Sequence, residues 1–315
     1  MMKILFTSVG RRVELIQAYK DAANKTGIEL QIIGADITET APALQFCDEQ
    51  LIVPRINDEK YIPSLIQFCD QNSIDALIPT IDTDLLLLAE NRERFGKTRV
   101  VISDHDKIAL CRDKRLTGLF FSQCGLQYPE IADDYKKYDL GFPAFIKPKD
   151  GSSSINAYTV KNSDELKTLA EMVPDYIVQP FIKGTEYTVD AFCDFEGNPI
   201  YITPRIRLAV RSGEVLKTKI DLDSTIIDET KALIKKFKPR GAITIQLIRE
   251  DKTGVDYYIE INPRYGGGAP LSIKAGADSP VMMLRLLSGE KIGYQADSAI
   301  NNAVYSRFDQ SIRVQ

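Results

Sequence analysis

The sequence predicts a mixed α/β protein in which a parallel-sheet domain precedes a larger α+β region. In the N-terminal third, short β-branched segments alternate with amphipathic helical segments, the pattern of a parallel sheet covered by helices. Strand-rich segments dominate the C-terminal half. The chain of 315 residues exceeds the usual size of one hydrophobic core, so two or three domains are expected.

The N-terminal region predicts four strands and three helices. Each strand is a short apolar run, and each helix repeats apolar residues three or four positions apart. The predicted strands are Lys3–Thr7, Leu30–Ala35, Ala76–Pro79 and Arg99–Ser103, and the predicted helices are Val13–Asn24, Tyr61–Gln71 and Asp84–Arg94. Ligands of such sheets bind beyond the carboxyl ends of the strands.

Two of these strand ends carry polar residues. After the first strand, Gly10 permits a tight turn, and Ser8 can cap the next helix while the free amides of that helix face an anion. The alternative is a plain turn with Arg11 and Arg12 in water. The G-x-G-x-x-G pattern is absent, which argues against an NAD-dependent dehydrogenase. After the third strand, Asp82 and Asp84 are expected to cap the following helix.

The rest of the chain predicts a small α+β lobe and then a strand-rich lobe. The small lobe contains helices Lys114–Cys124 and Ser163–Glu171, the second capped by Ser163, and strands Phe142–Pro148, Ala157–Val160 and Tyr176–Phe181. The last lobe contains strands Tyr187–Phe192, Pro199–Thr203, Ala242–Arg249 and Tyr257–Asn262, and helices Ile226–Phe237 and Pro280–Leu287.

Composition excludes several classes of function. A net charge of -4 gives no basic footprint for nucleic acid, and no apolar run approaches the ~20 residues that span a membrane. The five cysteines are scattered without a C-x-x-C pair, which predicts reduced thiols in a cytoplasmic protein. The single histidine, His105, lies in a predicted polar turn, so a mechanism of the Ser-His-Asp type is excluded.

The strongest chemical signal is the pair Glu260 and Asn262 in an apolar strand that stops at Pro263. Side chains two apart on a strand point to the same face, so a carboxylate and an amide oxygen project together. Such hard oxygen ligands suit Mg²⁺, which commonly binds beside substrate phosphates. Arg264 follows, with a planar fork suited to a carboxylate or phosphate.

Two further segments carry polar groups where apolar residues are expected. Lys147 lies in an apolar strand directly before a Gly/Ser loop, which offers backbone amides for cradling phosphates. Pro180 ends the strand Tyr176–Phe181, so neighbouring backbone groups are free for the edge of a heterocycle. Glu186 then begins a new strand and can accept hydrogen bonds from vicinal hydroxyls. Gln246 is polar within an apolar strand that can lie beside Glu260.

Taken in order, these residues resemble the ATP-grasp superfamily, in particular one ATP-grasp unit of the carbamoyl-phosphate synthase large subunit. The set that carries the resemblance is Lys114, Lys147 with its loop, Gln179–Ile182, Glu186, Gln246 and Glu260–Arg264. The resemblance covers nearly the whole chain. It implies a Rossmann-like parallel-sheet domain at 1–110 and a two-lobed ATP-grasp fold, with the small lobe at 111–183 and the catalytic lobe at 184–315.

The resemblance also implies residue roles. Lys114, Lys147 and a closing loop containing Gly151, Ser152, Ser153 and Ser154 would contact the ATP phosphates. Gln179, the backbone of Pro180, Phe181 and Ile182, and Glu186 would bind adenine and ribose. Gln246, Glu260 and Asn262 would bind one or two Mg²⁺ ions, with Mn²⁺ as an alternative, and Arg264 would act with Lys147 in catalysis.

The expected function is therefore an ATP-dependent ligase that activates a small-molecule carboxylate as an acyl phosphate for attack by an amine. The synthase large subunit has two such units, so a half-synthase that works with a partner subunit is an alternative, and a homodimer is also open. A non-catalytic ATP-binding module is the alternative from another class. The arginines at 205, 207 and 211, with Lys217 and Lys219, face either an anionic substrate or water. The glycines at 266–268 suggest space for the substrate.

Glu260→Gln is expected to abolish substrate-stimulated ADP formation while leaving the fold intact, because the amide removes the one carboxylate of the predicted metal site. The measurement is ADP release with Mg²⁺ during a screen of amino acids, small peptides and bicarbonate. Turnover of the variant at the wild-type rate would show that the metal assignment is wrong.

Overall fold

The computed structural model describes residues 1–151 and 155–314 and contains three sheets. The first sheet is parallel throughout. Its elements are β1 (Met2–Thr7), α1 (Val13–Thr26), β2 (Leu30–Asp36), β3 (Glu49–Ile52), α2 (Tyr61–Asn72), β4 (Ala76–Pro79), α3 (Leu85–Glu90) and β5 (Arg99–Val100). The strand order β3-β2-β1-β4-β5 places the ends of β1 and β4 side by side.

Three predictions in this domain differ from the structure. The edge strand β3 was not predicted, because its partly exposed residues Glu49–Ile52 carry too short an apolar pattern. The predicted helix Asp84–Arg94 ends at Glu90 and is followed by a separate 3-10 turn. The predicted strand Arg99–Ser103 pairs with its neighbour only at Arg99–Val100.

The second sheet has three antiparallel strands in the order β7-β6-β8. Its region comprises α4 (His105–Arg112), α5 (Lys114–Gln123), β6 (Ala144–Pro148), β7 (Tyr158–Val160), α6 (Ser163–Met172) and β8 (Tyr176–Pro180). His105 begins a helix and does not lie in a turn as predicted, although its side chain is exposed. The predicted Ser163 cap is also wrong: Asn162 is the N-cap, and its Oδ1 accepts a 2.9 Å hydrogen bond from Glu165 N.

The third sheet has six antiparallel strands in the order β13-β12-β9-β10-β11-β14. Its region comprises β9 (Gly184–Cys193), β10 (Pro199–Arg211), β11 (Glu214–Ile220), α7 (Ser224–Phe237), β12 (Gly241–Glu250), β13 (Asp256–Asn262), α8 (Ala269–Lys274), α9 (Ser279–Leu287) and β14 (Val304–Ser306). The hairpin of β10 and β11 extends well beyond the predicted strand, since its charged residues obscure the apolar pattern. A parallel sheet followed by antiparallel lobes confirms the predicted fold class.

The three sheets do not share one core. Buried residues of the parallel-sheet domain, such as Phe6 of β1 and Tyr19 of α1, pack with Tyr265 and Met283 from the region of the six-stranded sheet. The Tyr19 and Tyr265 hydroxyls also lie 3.1 Å apart in a hydrogen bond. The three-stranded sheet instead has a small core of its own that includes Ile146. Within the described residues, no helix has the length and apolar character needed to cross a bilayer.

Ile146→Ala is expected to destabilise the three-stranded lobe by about 2–5 kcal/mol, because it leaves a cavity in a small separate core. Hydrogen exchange should become faster across residues 144–180 and stay unchanged across residues 2–100. The matched control is Ile155→Ala, since Ile155 is 68% exposed. Faster exchange spread equally over all three sheets would contradict the separate core.

Candidate active site

A cleft open to solvent lies between the three-stranded and six-stranded sheets. Its empty volume, open solvent included, is about 930 Å³. Strand β6 contributes to one wall, and β9, β12 and β13 contribute to the other. The predicted site residues that line this cleft are Lys114, Lys147, Gly151, Glu186, Gln246 and Glu260.

Lys147 is a buried cation without an ionic partner. It is 8% exposed, and within the described ranges no carboxylate lies within 4 Å of its ammonium. Burial, followed by repulsion from Lys114, lowers the pKa of Lys147 to about 8, while Glu260 acts in the opposite direction. An unpaired buried ammonium is costly, so this position is suited to an anionic ligand.

Lys114 begins α5 and holds the start of the loop that follows β6. Its Nζ donates a 2.9 Å hydrogen bond to the carbonyl of Gly151. Burial lowers the pKa of Lys114, and Glu260 is the largest of the opposing charges. The serines predicted to contact phosphates, Ser152, Ser153 and Ser154, lie outside the described residues.

Sheet pairing brings the three predicted metal-binding residues together. Gln246 of β12 is directly opposite Glu260 of β13, and Thr244 is opposite Asn262. Asn262 Nδ2 donates a 3.0 Å hydrogen bond to Glu260 Oε1. Across the described part of the chain, no group of three or more His, Cys, Asp or Glu side chains could hold a metal ion. A metal here would therefore have one carboxylate, amide oxygens and oxygens of the ligand, which fits Mg²⁺ bound beside phosphates.

Arg264 links this strand to the parallel-sheet domain. Its Nη2 forms an ion pair with Asp82 and also lies 3.3 Å from Asn262 Oδ1. A second cavity, of about 640 Å³, joins Asp82 and Cys111 to Lys114, Glu260 and Asn262. The parallel-sheet domain thus closes the end of the site next to the oxygen ligands.

Of the residues predicted to contact adenine and ribose, Glu186 lines the cleft, and Gln179 of β8 is paired with Phe145 of β6, on the same sheet face as Lys147. Gln179 is buried, and its Nε2 donates to the Pro129 carbonyl at 3.1 Å, which leaves the amide oxygen for another donor. Strand β8 ends at Pro180, but the Phe181 N–H donates to the Pro143 carbonyl at 3.1 Å and is not free as predicted. For Ile182, no hydrogen bond of the N–H occurs among the described residues.

Glu186 is half-exposed in the cleft and is not isolated. Arg207 Nε lies 3.1 Å from its Oε2, so this carboxylate is held in place by an arginine that is itself buried. The remaining oxygen of Glu186 is open to a donor from the ligand, as a bond to vicinal hydroxyls requires.

The polar residues at the ends of β1 and β4 do not cap helices as predicted. Asp84 is fully buried, and its Oδ2 accepts hydrogen bonds from Thr7, Ser8 and Tyr61. Burial raises the pKa of Asp84 to about 6. Asp82 serves as the partner of Arg264 instead of as a cap. These contacts were not predicted because they join residues far apart in the sequence.

The arginines of β10 do not form one anion site as one of the alternatives supposed. Arg205 pairs with Asp190 at 2.7 Å, Arg207 with Glu186 and Arg211 with Asp309 at 3.0 Å. Lys217 and Lys219 lie on β11, where they pair with β14 through the backbone. Each arginine is therefore committed to a different carboxylate.

The glycines at 266–268 do not leave space for a substrate, as the sequence suggested. A Cβ on Gly267 would lie 2.9 Å from Arg12 Nη1, and one on Gly268 would lie 2.6 Å from Arg205 Nη2. The glycines are needed because side chains approach the backbone closely there, first the Glu214 carboxylate and then Arg12 at Gly267, and Arg205 and Val215 at Gly268.

Comparison with known proteins identifies the family. Residues 4–103 match the PylC-like N-terminal domain, and residues 111–268 match the ATP-grasp domain. The chain belongs to the ATP-grasp family. The resemblance inferred from the sequence is thereby confirmed.

The similar ATP-grasp proteins differ in activity. The chain is 24% identical over 263 residues to D-alanine–D-alanine ligase B of Clostridium perfringens, covering 72% of this chain and 85% of that protein. It is 25% identical over 260 residues to the carbamoyl phosphate synthase large chain of Thermomicrobium roseum, covering 74% of this chain and 22% of that protein.

A solved structure shows the same fold. The biotin carboxylase domain of Hydrogenobacter thermophilus 2-oxoglutarate carboxylase, a dimer in complex with MgADP, ADP and bicarbonate, has a TM-score of 0.76 to this ATP-grasp chain. The identity is 18%, and the match covers 96% of this chain and 73% of that one.

Lys147→Met is expected to raise the unfolding free energy of this ATP-grasp protein at pH 7. A lysine whose pKa falls from 10.5 to about 8 on folding costs up to about 3 kcal/mol while it is charged. Since the wild type loses that cost as pH rises from 8 to 10.5, the advantage of the variant should shrink over this window. The measurement is urea unfolding without nucleotide, followed by circular dichroism.

Lys167→Met on the exposed face of α6 is the control for this experiment, because it removes a lysine that is already in water. It should show no change with pH between 7 and 10.5 beyond that of the wild type. A constant difference between Lys147→Met and the wild type over the whole window would contradict the buried cation.

Proposed function

We propose that this ATP-grasp protein is a cytoplasmic, Mg²⁺- and ATP-dependent ligase that joins a small-molecule carboxylate to an amine through an acyl phosphate. The observation that supports it most is the buried Lys147, which has no ion-pair partner among the described residues, in a cleft whose opposite wall carries Gln246 and Glu260. Cations on one side and oxygen ligands on the other suit a polyphosphate that also binds a metal.

The two lysines would hold the terminal phosphates of ATP. Lys147 projects from a rigid strand, and Lys114 is tied to the loop through Gly151, so both cations are positioned before the ligand binds. Positioned charges stabilise phosphoryl transfer without reorganisation during the reaction. The loop at 150–155, of which the serines are not described, would exclude water from the acyl phosphate.

Gln246, Glu260 and Asn262 would hold Mg²⁺ through oxygen atoms. The hydrogen bond from Asn262 to Glu260 fixes both side chains on one face of β13. When bound, the metal would neutralise charge on the phosphate oxygens. With one protein carboxylate in the set, its affinity should depend on the nucleotide.

The chemistry would proceed in two steps. A carboxylate oxygen of the substrate attacks the γ-phosphorus, the bond to the bridging oxygen of ADP breaks, and ADP leaves. The amine then attacks the acyl carbon and loses a proton to water, while inorganic phosphate leaves with the former carboxylate oxygen. Arg264, fixed by Asp82, would stabilise negative charge on the transferred phosphoryl group.

The small lobe would bind the nucleoside. The free oxygen of Gln179 would accept from the adenine amine, and Pro180, Phe181 and Ile182 would line the ring, with the Ile182 N–H still available as a donor. Glu186 would accept from the ribose hydroxyls. We also propose domain boundaries near residues 110 and 183, which fall between the three sheets.

A second candidate is one half of a carbamoyl phosphate synthase that works with a partner subunit. The similarity to one such large chain, of which this chain spans 22%, favours it. This candidate predicts ADP release stimulated by bicarbonate, whereas the ligase proposal predicts stimulation by an organic acid. A homodimer is compatible with either activity.

An acid that stimulates ADP release, labelled with ¹⁸O in its carboxylate, is expected to transfer one label to phosphate in each turnover. The carboxylate oxygen that attacks ATP leaves with phosphate, so mass spectrometry of the phosphate tests the acyl phosphate directly. Unlabelled phosphate formed together with the amide product would contradict the mechanism. A non-catalytic binding module would bind ATP and release no phosphate with any acid.

A further inference from the structure

Four arginines converge where the parallel-sheet domain meets the backbone after Arg264. Arg264 is paired with Asp82, Arg205 with Asp190, and Arg307 with Glu214 and Glu14. The fourth, Arg12, precedes α1 at the carboxyl end of β1. Each of these three cations therefore has a carboxylate partner, which makes the surroundings of Arg12 informative.

Arg12 lacks a carboxylate partner. Among the described residues none lies within 4 Å of its guanidinium, and its one hydrogen bond is a long 3.4 Å contact from Nη2 to the Thr80 carbonyl. The side chain is nevertheless half-buried. Burial, and then repulsion from Arg264, lowers the pKa of Arg12, while Glu214 and Asp82 raise it from a greater distance. A half-buried cation that has no carboxylate nearby is stabilised when an anion binds beside it.

Its neighbours also carry unused donors. Arg205 is 2% exposed, and its Nη1 has no hydrogen-bond partner among the described residues. The same is true of the buried Nε of Arg264. The absence of side chains at Gly267 and Gly268 lets Arg12 Nη1 and Arg205 Nη2 reach the same stretch of backbone, beside the Glu214 carboxylate that pairs with Arg307. Buried donors are nearly always satisfied, so these two donors are open to acceptor oxygens, supplied by water or by a ligand.

We propose that Arg12 binds a substrate carboxylate that is not phosphorylated, and so selects substrates with a second anionic group. This inference rests on the proposed function, in which Arg264 faces the carboxylate that reacts. The second carboxylate belongs either to the acid that is activated or to the amine that attacks, as in an amino acid. Arg12 is then a specificity-determining residue supplied by the parallel-sheet domain.

The test uses pairs of ligands that differ by one carboxylate. Succinate and propionate represent the acid, and glycine and methylamine represent the amine. Binding of each is measured by calorimetry to the full-length protein saturated with Mg²⁺ and a non-hydrolysable ATP analogue, and ADP release with ATP is measured separately. Arg12→Gln and Arg12→Lys are compared with the wild type and with Arg11→Gln, a control at an exposed neighbour that pairs with Asp309.

We expect Arg12→Gln to weaken binding of the carboxylate-bearing member of one pair by about tenfold or more, as the loss of a charge-assisted hydrogen bond implies. The member without the extra carboxylate should bind as it does to the wild type. Arg12→Lys should restore part of the preference, and Arg11→Gln should match the wild type. The pair that responds shows whether the acid or the amine carries the second carboxylate.

A merely structural role for Arg12 would weaken both members of each pair equally, and that result would overturn the inference. It is also overturned if the wild type shows no preference within either pair, or binds none of the four ligands. If the preference is present but no acid stimulates ADP release, the ligase proposal fails and the carboxylate site stands. The two proposals are thus tested separately.

Discussion

The constraint on which the structure depends is the need to balance a buried ammonium. Lys147 lies in the sheet of the small lobe, faces the cleft, and has no carboxylate within reach among the described residues. Glu260, across the cleft, acts on it only at longer range. The protein keeps this cost because a strand position fixes the cation more firmly than an exposed loop would. An anion in the cleft would balance the charge of Lys147. Through a bound metal ion, the same anion would also be held by the oxygen atoms of the opposite wall.

The pairing of β12 with β13 determines which polar side chains line that opposite wall. Antiparallel register places Gln246 against Glu260, and the two-residue period of a strand adds Asn262 on the same face. Two residues later, Arg264 turns toward the parallel-sheet domain and meets Asp82. One continuous segment therefore connects the proposed metal-binding positions to the neighbouring domain. The shared core around Tyr19 keeps that domain in place.

The cleft lies between two units because the small lobe has a hydrophobic core of its own. The parallel and six-stranded sheets are joined by common buried residues, whereas the small lobe buries its own apolar side chains. A ligand between them contacts both units, so its binding energy can act on their relative position. This arrangement suits a reaction that must admit substrates and then exclude water.

Sequence patterns predicted the parts of the site that depend on local geometry. Glu260 and Asn262 were found from strand periodicity, and Lys147 from a charge in an apolar run. Contacts between distant segments were not predictable in this way. Asp82 was expected to cap a helix, and Arg12 was placed in water in one of the two alternatives for its turn, because neither partner lies nearby in the chain.

The glycines were misread for the same reason. At Gly267 and Gly268 a missing side chain indicates either open space or close approach, and the sequence alone does not distinguish them. The hairpin of β10 and β11 was also only partly predicted. Two of its arginines pair with carboxylates outside the hairpin, Arg207 with Glu186 and Arg211 with Asp309, and the sequence pattern does not show such partners.

The most direct test is a crystal structure with Mg²⁺ and a non-hydrolysable ATP analogue. We expect phosphate oxygens of the analogue within hydrogen-bond distance of the Lys147 ammonium, and a metal ion coordinated by Glu260. A nucleotide bound elsewhere, for example at the turn around Gly10, or a metal that leaves Glu260 uncoordinated, would contradict it.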